Sequence, residues 1–292
     1  MTEFCTSADG THIAYERIGA GPALILVDGA LCYRASGPAR PLAEALRDRF
    51  TVYTYDRRGR GESGDTKPYA IDREIEDLQA LVTAAGTEVF VYGISSGAAL
   101  ALETANRTPA IKRLFLYEAP FITDDTRRLP AGYVETMERL AKADDRSGML
   151  VHFMRKGVGL PAFAVFMMRL MPFWKTMKIV APTLTYDTAL TGPFQYGKPI
   201  APGSWSRLTQ PAMVVGGTKS ETWMRNAQKA IAAALPNARH GELEGETVGS
   251  ACTRAVSLLP GQLQGGRVCA LPLHARHCRM RRMCIDSRCR HL

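Results

Sequence analysis

Apolar and polar positions along the chain follow two rhythms that alternate for most of its length. Short runs that are apolar at every residue, ALILV at 23–27, VFVY at 89–92 and LFLY at 114–117, are separated by segments whose apolar residues recur at helical spacing. A run apolar on both faces fits a buried parallel strand, because a sheet covered by helices on both sides offers its strands no polar face. The pattern predicts strands at 23–29, 51–56, 88–93, 112–118, 211–217 and 238–245. Helices are predicted near 38–49, over 72–85, after Ser96 and over 221–235. Ahead of these, Asp9-Gly10 stands between two stretches of strand character, which predicts a hairpin. Alternation of this kind belongs to an α/β protein with a mostly parallel sheet.

Between about 119 and 209 the strand rhythm stops, and helical, Met-rich and aromatic segments replace it. Phe163, Phe166, Met167, Leu170, Met171 and Trp174 recur at helical spacing, either as a lid that lines an apolar pocket or as ordinary packing between helices. No window of about 18 residues is uninterruptedly apolar. The nearest, 157–174, is broken by Pro161, Arg169 and Pro172, so no transmembrane helix and no membrane partner are expected. The first residues hold neither a basic stretch nor an apolar one of the secretory kind, which makes a cytoplasmic location the expectation. The chain has no internal repeat.

Composition changes this picture at one place. With 46% hydrophobic and 22% charged residues, the 292-residue chain can bury a sizeable core and is not a disordered one. A net charge of +9 would suggest a nucleic-acid or membrane partner. Residues 248–292, however, hold eight Arg, no Lys and one acid, Asp286, so they carry +7 of it and leave the body at +2. No aromatic residue stands among those arginines to stack on bases, so no nucleic-acid partner is expected. Five of the seven cysteines, Cys252, Cys269, Cys278, Cys284 and Cys289, fall in the same stretch. The spacing of His274, His277, Cys278, Cys284, Cys289 and His291 matches no established zinc pattern, so neither a metal nor another cofactor is expected. The body reads as a reduced intracellular enzyme with a small-molecule substrate.

The chemistry concentrates at Gly93-Ile94-Ser95-Ser96-Gly97, which follows a predicted strand and opens a predicted helix. Strand, G-x-S-x-G and helix in that order make a nucleophile elbow, a sharp turn that presents a serine hydroxyl. Gly93 and Gly97 have a physical reason to be small: a larger residue at either would meet the strand or the helix. Ser95 is therefore the candidate nucleophile.

With this elbow, and with YDRRGRGESG at 55–64 and VDGA at 27–30, the chain resembles the α/β-hydrolase family over residues 1 to about 247. The resemblance implies an α/β-hydrolase fold: a mostly parallel central sheet flanked by helices, with a helical cap inserted after the sixth strand. It divides the chain into a core at 1–118 and 210–247, a cap at 119–209, and an atypical tail at 248–292 outside the core. It also implies an oxyanion hole made by the backbone N–H groups of Ala30 and Ser96, although Asp28-Gly29 stands where the family usually has His-Gly. For the acid of a catalytic triad it points first to Glu118, which could instead fix the hinge of the cap, and then to Glu221 and Asp124. Caps of this kind shape the substrate pocket, and the apolar composition here favours a hydrophobic acyl or alcohol portion.

The family's histidine is missing from its place. It follows the last core strand, in a stretch like G-x-T-H, and this chain reads Gly245-Glu246-Thr247-Val248. His240 lies seven residues earlier in the predicted strand, His12 in the hairpin and His152 in the cap, none in a position the family uses. The composition break begins at Val248, and its Arg, Ala, Gly, Pro and Cys bias is that of a shifted reading frame in a GC-rich coding sequence. The reading is a serine hydrolase scaffold for a small apolar ester, working through an acyl-serine intermediate and impaired by the missing histidine. The alternatives are a non-catalytic pseudoenzyme or small-molecule binding protein, and a haloperoxidase-type perhydrolase.

Overall fold

The computed structural model describes residues 1–246, in which eight strands form one sheet. In chain order they are β1 (Glu3–Thr6), β2 (His12–Ile18), β3 (Ala23–Val27), β4 (Thr51–Tyr55), β5 (Val89–Ile94), β6 (Ile111–Tyr117), β7 (Ala212–Gly217) and β8 (Ala238–Leu243). Their spatial order is β1-β2-β4-β3-β5-β6-β7-β8. β3 to β8 are mutually parallel, and β2 is antiparallel to both of its neighbours. The hairpin expected at Asp9-Gly10 joins β1 to β2, with Gly10 at a φ of 83°. Each parallel strand of the alternating pattern lies within a few residues of its predicted place.

Four helices connect these strands: α1 (Ala39–Leu46), α2 (Ile71–Ala85), α3 (Ser96–Ala105) and, late in the chain, α9 (Thr222–Ala234). The crossover from β3 to β4 runs toward the β1 edge, whereas those from β4 to β5, β5 to β6 and β7 to β8 run toward the β8 edge. Right-handed connection then sets α1 on one face and α2, α3 and α9 on the other. The strands divide accordingly. Val89, Val91, Leu114, Leu116 and Val214 join Leu78, Leu81, Leu100 and Ile231 in one core cluster. On the opposite face Phe50 meets Phe90 edge-on, and Tyr92 stacks on Phe115.

The segment after β6 leaves the sheet, as the resemblance implies. It forms α4 (Tyr133–Lys142), α5 (Arg146–His152), a π-helical turn (Phe153–Val158), α6 (Ala162–Arg169), α7 (Phe173–Val180) and α8 (Leu184–Thr191). These helices have a second, smaller core of Met137, Met149, Leu150, Val165, Trp174 and Leu184. α8 returns to the sheet side and packs on α3. Among the described residues no helix is long and apolar enough to cross a membrane.

Candidate active site

Ser95 stands at the end of β5, where the chain must turn from strand to helix within one residue. It does so at φ 55° and ψ −127°, a region that side-chain-bearing residues rarely occupy. Its own N–H donates to the Tyr117 carbonyl at 2.9 Å, which fixes the turn against β6. A Cβ on Gly97 would lie 2.2 Å from the Val27 carbonyl oxygen, and one on Gly93 2.6 Å from the carbonyl of Gly97. Both glycines are therefore required by backbone contact, as the motif predicts.

The loop after β3 lies directly against this turn. A Cβ on Gly29 would come within 3.0 Å of the Ser95 Cβ, so Ala30 is set beside the serine, and both residues line the same pocket. Ser96 is the first residue of α3, so its N–H has no acceptor within the helix. The two residues expected to form an oxyanion hole thus line one pocket together with Ser95. Leu31, the next residue of the loop, has a φ of 63°. Leu31, Ser95 and Glu118 account for three of the four non-glycine residues with positive φ among the described residues. Backbone strain is thus concentrated around the pocket, as at sites whose surroundings hold unfavourable geometry for a use.

Glu118 follows β6, one strand over from Ser95, and is fully buried. Its carboxylate accepts from the Gly217 N–H at 2.7 Å and from the Ser220 hydroxyl. Those partners belong to β7 and the loop after it, so they tie the carboxylate to the core. The other two candidates are held differently. Glu221 is largely exposed and pairs with Arg127 at 3.4 Å. Asp124 accepts from Thr126 and Asn226, does not line the pocket, and is held below the usual carboxylate range by its bonds to Thr126.

Above these groups is a pocket of about 260 Å³. Ile122, Leu129, Tyr133, Phe153 and Val158 form its cap side, and Trp223 and Met224 of α9 its core side. Arg127 stacks over the Trp223 ring at 4.3 Å on this wall. The six residues named as a lid or packing stripe do not line it. Trp174 is buried in the cap core, but Phe163, Phe166, Met167, Leu170 and Met171 are exposed to solvent. The lid reading is corrected, and the packing alternative holds for Trp174 alone: the other five residues turn away from both the pocket and the cap core.

No histidine lines the pocket among the described residues. His240 is on β8, level with Val214, and β8 is three strand spacings from β5, about 14 Å. His12 begins β2, three spacings away on the other side. His152 stacks on Tyr133, and its Nε2 donates to the Tyr133 carbonyl at 2.9 Å. Val248, the tail at 248–292 and its His and Cys residues lie outside the described residues.

The sequence reading missed the group that ties the cap to the elbow. Asp187 of α8 is buried, with Oδ1 accepting from Ser96 Oγ at 2.6 Å and from Arg57 at 2.8 Å, and Oδ2 accepting from Arg60 at 2.8 Å. Arg57 makes a two-pronged pair with Glu74 of α2, at 2.9 Å on each prong. Arg60 also donates to the Gly29 carbonyl at 2.6 Å and the Cys32 carbonyl at 3.2 Å. The arginines of YDRRGRGESG thus clamp the oxyanion loop, the elbow helix and the cap together. Despite its burial, Asp187 is held below the usual carboxylate range by the adjacent Arg60 and Arg57. A signal was present: Asp187 is the only acid between Asp145 and Glu221.

Comparison with known proteins agrees with this fold. Residues 19–248 match the Alpha/beta hydrolase family. An alpha/beta hydrolase from Sphaerobacter thermophilus DSM 20745 is 41% identical, with a TM-score of 0.78 over 87% of this chain and 98% of that one. A thermophilic esterase from Thermogutta terrifontis has the same fold at 19% identity, with a TM-score of 0.67 over 91% of this chain and 98% of its own. Serine hydrolase BPHL of Mus musculus is 27% identical over 151 residues, 49% of this chain, and the uncharacterized hydrolase YraK of Bacillus subtilis is 29% identical over 120 residues, 39% of it. The chain spans about half the length of these two curated relatives, 52% and 42%.

Proposed function

Because the chain belongs to the alpha/beta hydrolase family, we propose that its pocket is a serine acyl-transfer site for a small apolar ester. The observation that carries this reading is the strained Ser95, which shares an apolar pocket with Ala30 and Ser96 and stands one strand from a buried carboxylate. In the proposed reaction the Ser95 Oγ attacks the ester carbonyl, and the oxygen that becomes negative accepts from the N–H groups of Ala30 and Ser96. Collapse of the tetrahedral adduct, with the Ser95 proton passing to the departing oxygen, releases the alcohol and leaves an acyl-Ser95, which water then hydrolyses to the carboxylic acid and free Ser95. Glu118 is the carboxylate suited to orient a base. Apolar walls suit a hydrophobic acyl or alcohol group.

The base is the group this chain lacks at the expected place, where the sequence has Val248. A serine hydroxyl without a base stays protonated and is a weak nucleophile. Acyl transfer in this chain is therefore proposed to be slow. Residual catalysis would come from the oxyanion hole and binding, about 10³- to 10⁴-fold over water where a triad member has been removed from a protease. The absence of a pocket histidine among the described residues favours a second reading, a binding protein that retains the pocket without turnover.

A fluorophosphonate probe and a short p-nitrophenyl ester test the assignment together. The parent chain should label slowly at one residue, identified as Ser95 by peptide mapping, and Ser95→Ala should not label. Equal labelling of the two would remove Ser95 from its role. Ester turnover should stay well below the usual enzyme range of about 1 to 10³ s⁻¹; turnover within that range would mean that a base acts on Ser95.

A further inference from the structure

A helix on a protein surface ordinarily turns its apolar stripe inward. On α6 the stripe is turned outward. Phe163, Phe166 and Met167 of α6, and Leu170 and Met171 just past its end, stand at i, i+3, i+4, i+7 and i+8; Phe163 is 73% exposed and Leu170 65%, while Val165 on the opposite side is buried at 2%. Val158, Phe173 and Ile179 are exposed as well, so eight of the eleven exposed large hydrophobics among the described residues fall between 158 and 179. A concentration of that kind marks an interaction surface.

The same segment is cationic and has no counter-charge of its own. Arg155, Lys156, Arg169, Lys175 and Lys178 make no ion pair among the described residues, in a chain where most buried arginines are paired. The only acid between residues 146 and 220 is Asp187, which is buried between Arg57 and Arg60. We propose that this face of the cap docks on an anionic lipid surface, with α6 and the start of α7 in the plane of the headgroups. Phe and Leu side chains would enter the acyl boundary while Lys and Arg meet the phosphates, the arrangement of an interfacial amphipathic helix. A spanning segment is not needed for such binding. A second copy of the chain is disfavoured, because two-fold pairing would set these cations against themselves. Val158 also lines the pocket, so the docking face adjoins the pocket wall.

Co-sedimentation of the full chain with vesicles tests the proposal, using phosphatidylcholine alone and phosphatidylcholine mixed with phosphatidylserine. The parent should bind the anionic vesicles at least about tenfold more strongly than the neutral ones, and less strongly as salt is raised. The triple variant Phe163→Ser, Phe166→Ser, Leu170→Ser and the charge variant Arg169→Glu, Lys175→Glu should each lose about tenfold or more. Both should keep the parent's melting temperature, since the altered side chains are exposed, and Ser95→Ala should bind like the parent. Binding unchanged in both cap variants would overturn the proposal and assign it to the Arg-rich residues 248–292. Absence of binding to either vesicle would overturn it as well, and so would a dimer that the triple variant dissolves.

Discussion

Removing the Asp187 carboxylate would leave the buried Arg57 and Arg60 guanidiniums with Glu74 as the one carboxylate bonded to either of them. Breaking one partner out of a buried pair costs about 3 to 5 kcal/mol. Asp187→Ala should therefore lower the urea midpoint by a corresponding amount, and it should reduce reaction of Ser95 with the fluorophosphonate probe, because Ser96 loses its 2.6 Å bond. A variant that melts like the parent would show that the clamp contributes little. Asp28 gives a pH-dependent counterpart. Burial pushes its carboxyl up to about 7, against the opposing pull of Arg60. The folded chain holds a proton there that the unfolded chain has released above about 4, so this group's contribution to stability falls as pH rises from about 4 to 7 and is level above. Asp28→Asn should flatten that decline, as read from melting temperatures measured between pH 5 and 8.

Among the elements, the elbow is the least tolerant of change. Gly97→Ala would put a methyl 2.2 Å from a carbonyl oxygen of the neighbouring strand, and neither partner is a flexible side chain. Its cost should exceed about 3 kcal/mol, seen as a large fall in melting temperature or as failure to fold. Gly192 is helical, at φ −50° and ψ −45°, directly before Pro193, where an added Cβ would crowd the proline ring, so Gly192→Ala should be mildly destabilising although nothing else lies within 4 Å. The same elements show what the sequence made legible. The strands were readable because they are apolar on both faces, and the elbow because its glycines answer a backbone contact that no other residue satisfies. The direction of α6 was not. A stripe at helical spacing identifies a face, but where that face points depends on Val165 and Trp174 packing into the cap core, which no local pattern encodes. Asp187 escaped for the same reason: its partners lie 91 to 130 residues away along the chain.

On the scale of the whole molecule the open element is the segment after β8. The strand ends at Leu243, and the composition changes at Val248, where the family match also ends. Translating the other two frames after the codon for Thr247 should give a histidine within a residue or two, followed by an amphipathic helical segment of about a dozen residues or more. Grafting that segment onto residues 1–247 should raise esterase turnover by about 10³-fold or more, given what a triad histidine contributes elsewhere. If neither frame encodes such a segment, the frameshift account is wrong.

The clamp at Asp187 also bears on how such a protein can diversify. At the elbow the cap is held by a buried acid on α8, by the Arg60–Thr183 bond and by packing of Ala30 and Leu31 on the cap core, while among the described residues α6 and α7 make no ion pair with the core. A transplanted cap would need a carboxylate at the Asp187 position, and an apolar surface for Ala30 and Leu31, to keep its register with the nucleophile. Selection for new substrates can then act on the rest of the cap without disturbing the geometry around Ser95, which makes the cap an exchangeable module gripped at a small, defined contact.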